Sequence, residues 1–134
     1  MANLIQRILV RTDLEMPVGL LAAQVAHIHA APFIQTYRVT PSPGTEFGDC
    51  VENIKQWMST PYLFVHRVPN KEVLNYFIDE CTDRNVWFHE WKDTIYIDIS
   101  DTQKKAFDNV TVGISIGPAD SDEIKTIVGD LPLL

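Results

Sequence analysis

Residues 4–11 read Leu-Ile-Gln-Arg-Ile-Leu-Val-Arg, and the run stops at the polar pair Thr12-Asp13. Its apolar residues are nearly continuous rather than alternating, the mark of a strand covered on both faces and lying inside a sheet. Such a strand needs a helix layer above and below it. The first candidate follows at once. Pro17 suits an opening helical turn, where a missing backbone donor costs nothing. Over Val18–Tyr37, residues Val18, Leu21, Val25 and Ile28 recur at helical spacing as a core stripe. Pro32 is expected to end or kink that helix.

Working outward, Tyr62–Val68 reads as a second strand, and Asn70 is placed to cap a helix over Lys71–Arg84 with Val73, Leu74, Phe77, Ile78 and Cys81 facing inward. Val110–Ile116 is a further strand beside Leu4–Arg11 in the sheet interior. Gly117-Pro118 is a turn, and Asp120, Ser121, Asp122 and Glu123 open a last helix, Ser121–Val128. Val86–Trp91 and Thr94–Ile99 are both strand-like, either separate or one hairpin turning at Lys92-Asp93. Thr40–Asp49, with two prolines, two glycines and no periodicity, reads as a loop insertion before a short helix, Val51–Met58. Strands alternating with helices imply an α/β domain spanning residues 1–134. The expected architecture is three-layered, a small mixed β-sheet with helices on both faces.

The composition agrees. A chain of 134 residues, 46% hydrophobic and 22% charged, has the size and balance of one globular domain with one core. No apolar run approaches the ~20 residues of a membrane span, and the N-terminal apolar run is a strand rather than a signal peptide. Cys50 and Cys81 lie far apart, which suggests reduced thiols in a cytoplasmic protein. No His, Cys or carboxylate set has metal-ligand spacing, and His27 with His29 alone would make a poor site; neither a metal nor a cofactor is expected. The net charge of −7, from 18 acidic and 11 basic side chains, is the wrong sign for non-specific attraction of a polyanion.

Two stretches carry a specific resemblance. Arg11-Thr12-Asp13-Leu14-Glu15-Met16, then Gly19, then Ala22-Ala23-Gln24 with His27, is similar to the opening signature of type II peptidyl-tRNA hydrolases. At the other end, Ile116-Gly117-Pro118-Ala119, the acidic helix and Gly129-x-Leu131-x-Leu133 match as well. Trp57 and the strand Val65-His66-Arg67-Val68 are weaker matches between them. The resemblance implies a small mixed sheet between helices, a homodimer, and hydrolysis of the ester joining a peptide to the 3′ ribose of tRNA. Three tryptophans and four tyrosines leave aromatic surface for such an interface.

Ester hydrolysis needs a positioned water, a base or polariser for it, and donors for the developing oxyanion. Gln24 and His27 share a helix face with Leu20, and a histidine there can accept a water proton near neutral pH. His29 and His89 read as structural or exposed. The resemblance assigns the family's aspartate and threonine to Asp98 and Thr102, with Gln103 beside them. A competing alignment puts Asp93 in the aspartate's place and an enlarged loop after it. Arg67 keeps the charge of a strand lysine, and Lys92, Lys104 and Lys105 supply others. The chain departs from the family most at Val18 and Leu20, where lysines are usual; neither side chain can meet a phosphate or a developing negative charge. Catalysis is thus expected from His27, Asp98 and Thr102, and substrate binding from Gln24, Arg67 and Gln103. The alternatives are a relative that binds a small molecule or protein in the same cleft, and a hydrolase of a less anionic ester.

Overall fold

The run at residues 4–11 forms β1 (Leu4–Arg11), with only Arg7 less than buried along it. The computed structural model describes residues 3–38, 46–59 and 61–134. After β1 come α1 (Val18–Arg38), α2 (Glu46–Trp57), β2 (Tyr62–Val68), α3 (Lys71–Asp83), β3 (Phe88–Asp98), β4 (Lys104–Asp120) and α4 (Ser121–Val128). The four strands form one sheet in the order β2-β1-β4-β3. The β1–β2 pairing is parallel, and the β1–β4 and β3–β4 pairings are antiparallel. The sheet is therefore mixed, with β1 inside it next to β4, as the sequence implies.

Two apolar clusters cover the two faces. Ile5, Leu9, Ile114 and Ile116 pack against Leu74, Phe77 and Cys81 of α3 and Ile124, Ile127 and Val128 of α4. On the other face Ile8 and Val10 meet Ile28, Leu21 and Val25 of α1. Gly113 sets how closely α1 approaches: a Cβ there would lie 2.3 Å from the Leu9 carbonyl oxygen and 2.8 Å from Ile28 Cδ1. The last residues close the edge of β2. Arg67 N–H donates to the Pro132 carbonyl, Leu134 N–H to that of Val65, and His66 bridges Leu133.

Several local expectations change. Val18 is 84% exposed rather than part of the core stripe; Leu14 and Met16, from the loop before α1, pack into the cluster in its stead. Pro32 neither ends α1 nor lies at its surface: it is buried within a helix that continues to Arg38. Of the expected Thr40–Asp49 loop, residues 40–45 lie outside the described residues, whereas residues 46–49 already belong to α2. Neither of the readings offered for residues 86–99 holds: residues 88–98 form one strand, β3, with register shifts at Trp91/Lys92 and Asp93/Ile95. The hairpin turns instead at residues 99–103. Gly117-Pro118 is not a turn but lies within β4, near the register shift between β1 residues Ile5 and Arg7. Asn70 caps α3 as expected, its side chain accepting from Val73 N–H. The Cys50 side chain lies outside the described residues. Cys81 is free and buried, and burial with the nearby Glu80 pushes its thiol up to about 12.

Candidate functional site

The end of β1, the first half of α1 and the middle of β3 converge on one polar cluster. Gln24 faces the sheet from α1 and is only 4% exposed. Its Oε1 accepts from the Trp91 indole Nε1–H at 2.9 Å, and its Nε2 donates to Asp93 Oδ2 at 3.0 Å. The orientation of this amide is fixed by chemistry. The indole can only donate, so it requires the amide oxygen, which turns the amide nitrogen to the carboxylate. Asp93 Oδ1 accepts from the Thr94 backbone N–H at 2.8 Å. Both carboxylate oxygens are thus held by donors, which fixes the direction of the group.

One turn beyond Gln24 on α1, His27 lies flat on Trp91, with ring centroids 5.1 Å apart and planes 8° from parallel. His27 is exposed and Trp91 half-buried. Trp91 therefore does two things: its ring supports His27, and its N–H orients Gln24 and through it Asp93. At the end of β1, Arg11 is buried and makes a two-pronged pair with Asp13 at 2.8 and 3.0 Å while donating to the Thr111 carbonyl at 3.1 Å. Thr111 Oγ1 donates to Glu90. The Arg11-x-Asp13 element of the signature is thus structural: it ties the end of β1 to β4 and satisfies the guanidinium that burial would otherwise penalise.

The structure brings Gln24 and His27 together with Asp93, the aspartate of the competing alignment. It does not bring Asp98, Thr102 or Gln103 to them. Asp98 pairs with Lys104 at the last rung of the β3–β4 hairpin, seven residues past Trp91, or about 20 Å along a strand rising ~3.3 Å per residue. Thr102 and Gln103 are exposed in the turn, where their backbone N–H groups meet Ser100 Oγ. Arg67 is exposed on β2, on the rung that runs Arg67–Val10–Gly113–Trp91 across the sheet. Three interstrand spacings of ~4.8 Å put it about 14 Å from Trp91. Lys92 is exposed between Trp91 and Asp93, while Lys104 and Lys105 lie at the hairpin end. Val18 is exposed at the start of α1, and Leu20 is half-buried against the core.

The sequence reading did not single out Trp91 or the Gln24 amide bridge. The available signal was an indole donor two residues before an aspartate on a strand facing the Gln24 helix, which acquires meaning only once β3 is seen to pass under α1. The remaining histidines are structural. His29 Nδ1 pairs with Gln6 Oε1 at 2.7 Å, and burial lowers its pKa. His66 donates from Nδ1 to the Leu131 carbonyl and accepts from Arg7 Nη1 at Nε2; burial, and secondarily the Arg7 charge, lowers its pKa. Burial also lowers that of His89. Among the described residues no group of three or more His, Cys, Asp or Glu side chains is arranged to hold a metal, and no helix is long and apolar enough to cross a membrane. Two cavities formed by described residues lie elsewhere. One of about 400 Å³ is lined by His29, Trp57, Met58, Pro61 and Leu63, and one of about 270 Å³ lies beside Cys81.

The family model described as Peptidyl-tRNA hydrolase PTH2 matches residues 4–134. No curated protein matches the chain significantly.

Proposed function

The chain belongs to the peptidyl-tRNA hydrolase PTH2 family, and from that premise we propose that it hydrolyses the ester between a peptide and the 3′ ribose of tRNA at the Gln24–His27–Asp93 cluster. The observation that carries this reading is the Trp91–Gln24–Asp93 relay, which holds the Asp93 carboxylate in one direction on the same strand whose Trp91 supports the exposed His27. Asp93 orients the attacking water, the unprotonated ring nitrogen of His27 accepts its proton as the water oxygen bonds to the acyl carbon, and the acyl C–O bond then breaks with that proton passing to the leaving 3′ oxygen. Lys92, next to Asp93 on β3, is the nearest cation in sequence to the cluster. Placing the family aspartate at Asp93 makes the distal part of the hairpin, with Asp98, Thr102 and Gln103, an extension of the sheet. Those residues and Arg67 then serve the reaction only as outer contacts to the tRNA body.

A peptidyl-tRNA substrate puts the protein in the cytoplasm. A homodimer belongs to the same proposal: β2 and the C-terminus expose the apolar or aromatic side chains of Tyr62, Leu63, Phe64, Leu133 and Leu134, with Met58 nearby in sequence. Sedimentation at tens of micromolar tests it (the range of ordinary weak dimer affinity), and a species of 15.2 kDa alone rejects it.

A second reading is favoured by Val18 and Leu20, which remove two cations from the helix that faces the substrate. It takes the protein as a relative that binds a small molecule or protein in the cleft, or that cleaves a less anionic ester. A turnover assay on peptidyl-tRNA decides. The first reading expects hydrolysis that falls at least tenfold in His27→Ala and in Asp93→Asn while Asp98→Asn stays near wild type. No hydrolysis by wild type favours the second.

A further inference from the structure

The His27–Trp91 pair presents more than a proton acceptor. Parallel rings with centroids 5.1 Å apart form an offset stack. Trp91 backs one face of His27, and His27 is itself exposed, so its other face is a flat, rigid π surface open to solvent. An unsupported exposed imidazole would be free to rotate; here the indole beneath it is anchored through its N–H to Gln24. Such a built ring pair is wasted on proton transfer alone, which uses only the edge nitrogens in the ring plane. A face of this kind takes a planar heteroaromatic ring, and every nucleobase offers one.

We infer that the outer face of His27, backed by Trp91, is the stacking platform for the 3′-terminal nucleobase of the substrate. The inference rests on the proposed peptidyl-tRNA reading and deepens it. Geometry links the two. The scissile ester sits on the same ribose as the terminal base. A base laid on His27 therefore leaves the ester about one sugar away, and Asp93 is held two residues along β3 from the supporting Trp91. The platform also relieves the loss of cations at Val18 and Leu20, because stacking is indifferent to phosphate charge and to the −7 net charge of the protein. It gives the 3′ end a hold that does not weaken with salt as phosphate contacts do.

The probe is the trinucleotide CCA, titrated into the full-length protein and followed by the His27 ring-proton NMR signals, beside a CC trinucleotide ending in an abasic site. CCA is expected to move the His27 ring protons upfield, as a base stacked on the ring would, and to bind more tightly than the abasic form. His27→Ala should weaken CCA binding roughly 5- to 150-fold, the loss of one base–aromatic stack. His27→Phe should keep most of the binding, because the platform survives, while losing turnover, because the nitrogens do not. His27 is exposed, so neither variant threatens the fold. Equal binding of CCA and the abasic form, or CCA binding unchanged in His27→Ala, overturns the platform. Turnover of peptidyl-tRNA together with that result leaves the hydrolase reading standing and removes only the platform. Base stacking on His27 without turnover removes the hydrolase reading and keeps the platform.

Discussion

Replacing Gln24 by glutamate changes one nitrogen for oxygen in the middle of the relay, and the structure dictates both the size and the pH dependence of the result. The Trp91 N–H keeps an acceptor. The Asp93 carboxylate, however, loses its donor at 3.0 Å and faces a second carboxylate instead. Two such charges about 4 Å apart repel by roughly 4 kcal/mol at an effective dielectric of 20. The alternative is to protonate the new side chain, which at pH 7 costs about 4 kcal/mol for a group of ordinary pKa ~4.3. Whichever is cheaper sets the penalty, so it cannot much exceed 4 kcal/mol. Asp93 is half-buried and partly screened, which puts the expected loss at about 2–4 kcal/mol. In the folded variant the pair retains a proton that the unfolded chain releases. Stability relative to wild type must then rise as pH falls, by up to about 1.4 kcal/mol per unit until the unfolded carboxyl itself titrates near ~4.3. Urea unfolding of both proteins at pH 7, 6 and 5 measures this difference and cancels any shared histidine effect. A variant as stable as wild type at pH 7, or a deficit that does not shrink toward pH 5, would show that Gln24 and Asp93 are not in contact.

Val18→Lys should leave stability within about 0.5 kcal/mol, since Val18 is 84% exposed, and should steepen the salt dependence of tRNA binding by roughly one unit per added phosphate contact; Leu20→Lys should cost more, being packed against the core. Gly113→Ala should destabilise by about 1–3 kcal/mol through overpacking, because its Cβ meets the Leu9 carbonyl at 2.3 Å. A wild-type urea midpoint in that variant would contradict the close approach of α1. Burial lowers the pKa of His29, His66 and His89 below 6.5. From about pH 6.5 downward the unfolded chain therefore binds protons that the native state refuses, and stability is lost as pH falls through the native values. Replacing His66 by Gln, which keeps a donor for Leu131 and an acceptor for Arg7, should flatten that slope.

Much of the architecture is written locally. The uninterrupted Ile/Leu/Val run of β1 needs cover on both faces wherever it sits, and the helical spacing of Leu21, Val25 and Ile28 supplies one layer. Asn70 caps α3 through a bond to a residue three positions away, and the charge balance that opposes tRNA is simple counting. These depend on near neighbours or on totals, which the order of residues contains. The Arg11-to-His27 signature likewise marks the helix that carries Gln24 and His27 to Trp91 and Asp93.

Which aspartate lies against Gln24 was decided only by tertiary structure. Whether Asp93 or Asp98 stands near His27 depends on where the β3–β4 hairpin turns, and the segment around Lys92-Asp93 looks as turn-like as the one at residues 99–103. Pairing of β3 with β4 resolves it: the hydrogen bonds of one long ladder outweigh the local preference of Lys92-Asp93 for a bend, which is absorbed as register shifts. Val18 left the core for a similar reason, since Leu14 and Met16 reach the same cluster from the preceding loop. The role of Trp91 could not be read beforehand at all. It rests on a donor-only indole meeting an amide 67 residues away in sequence, and that meeting exists only because α1 is laid across the sheet over Gly113.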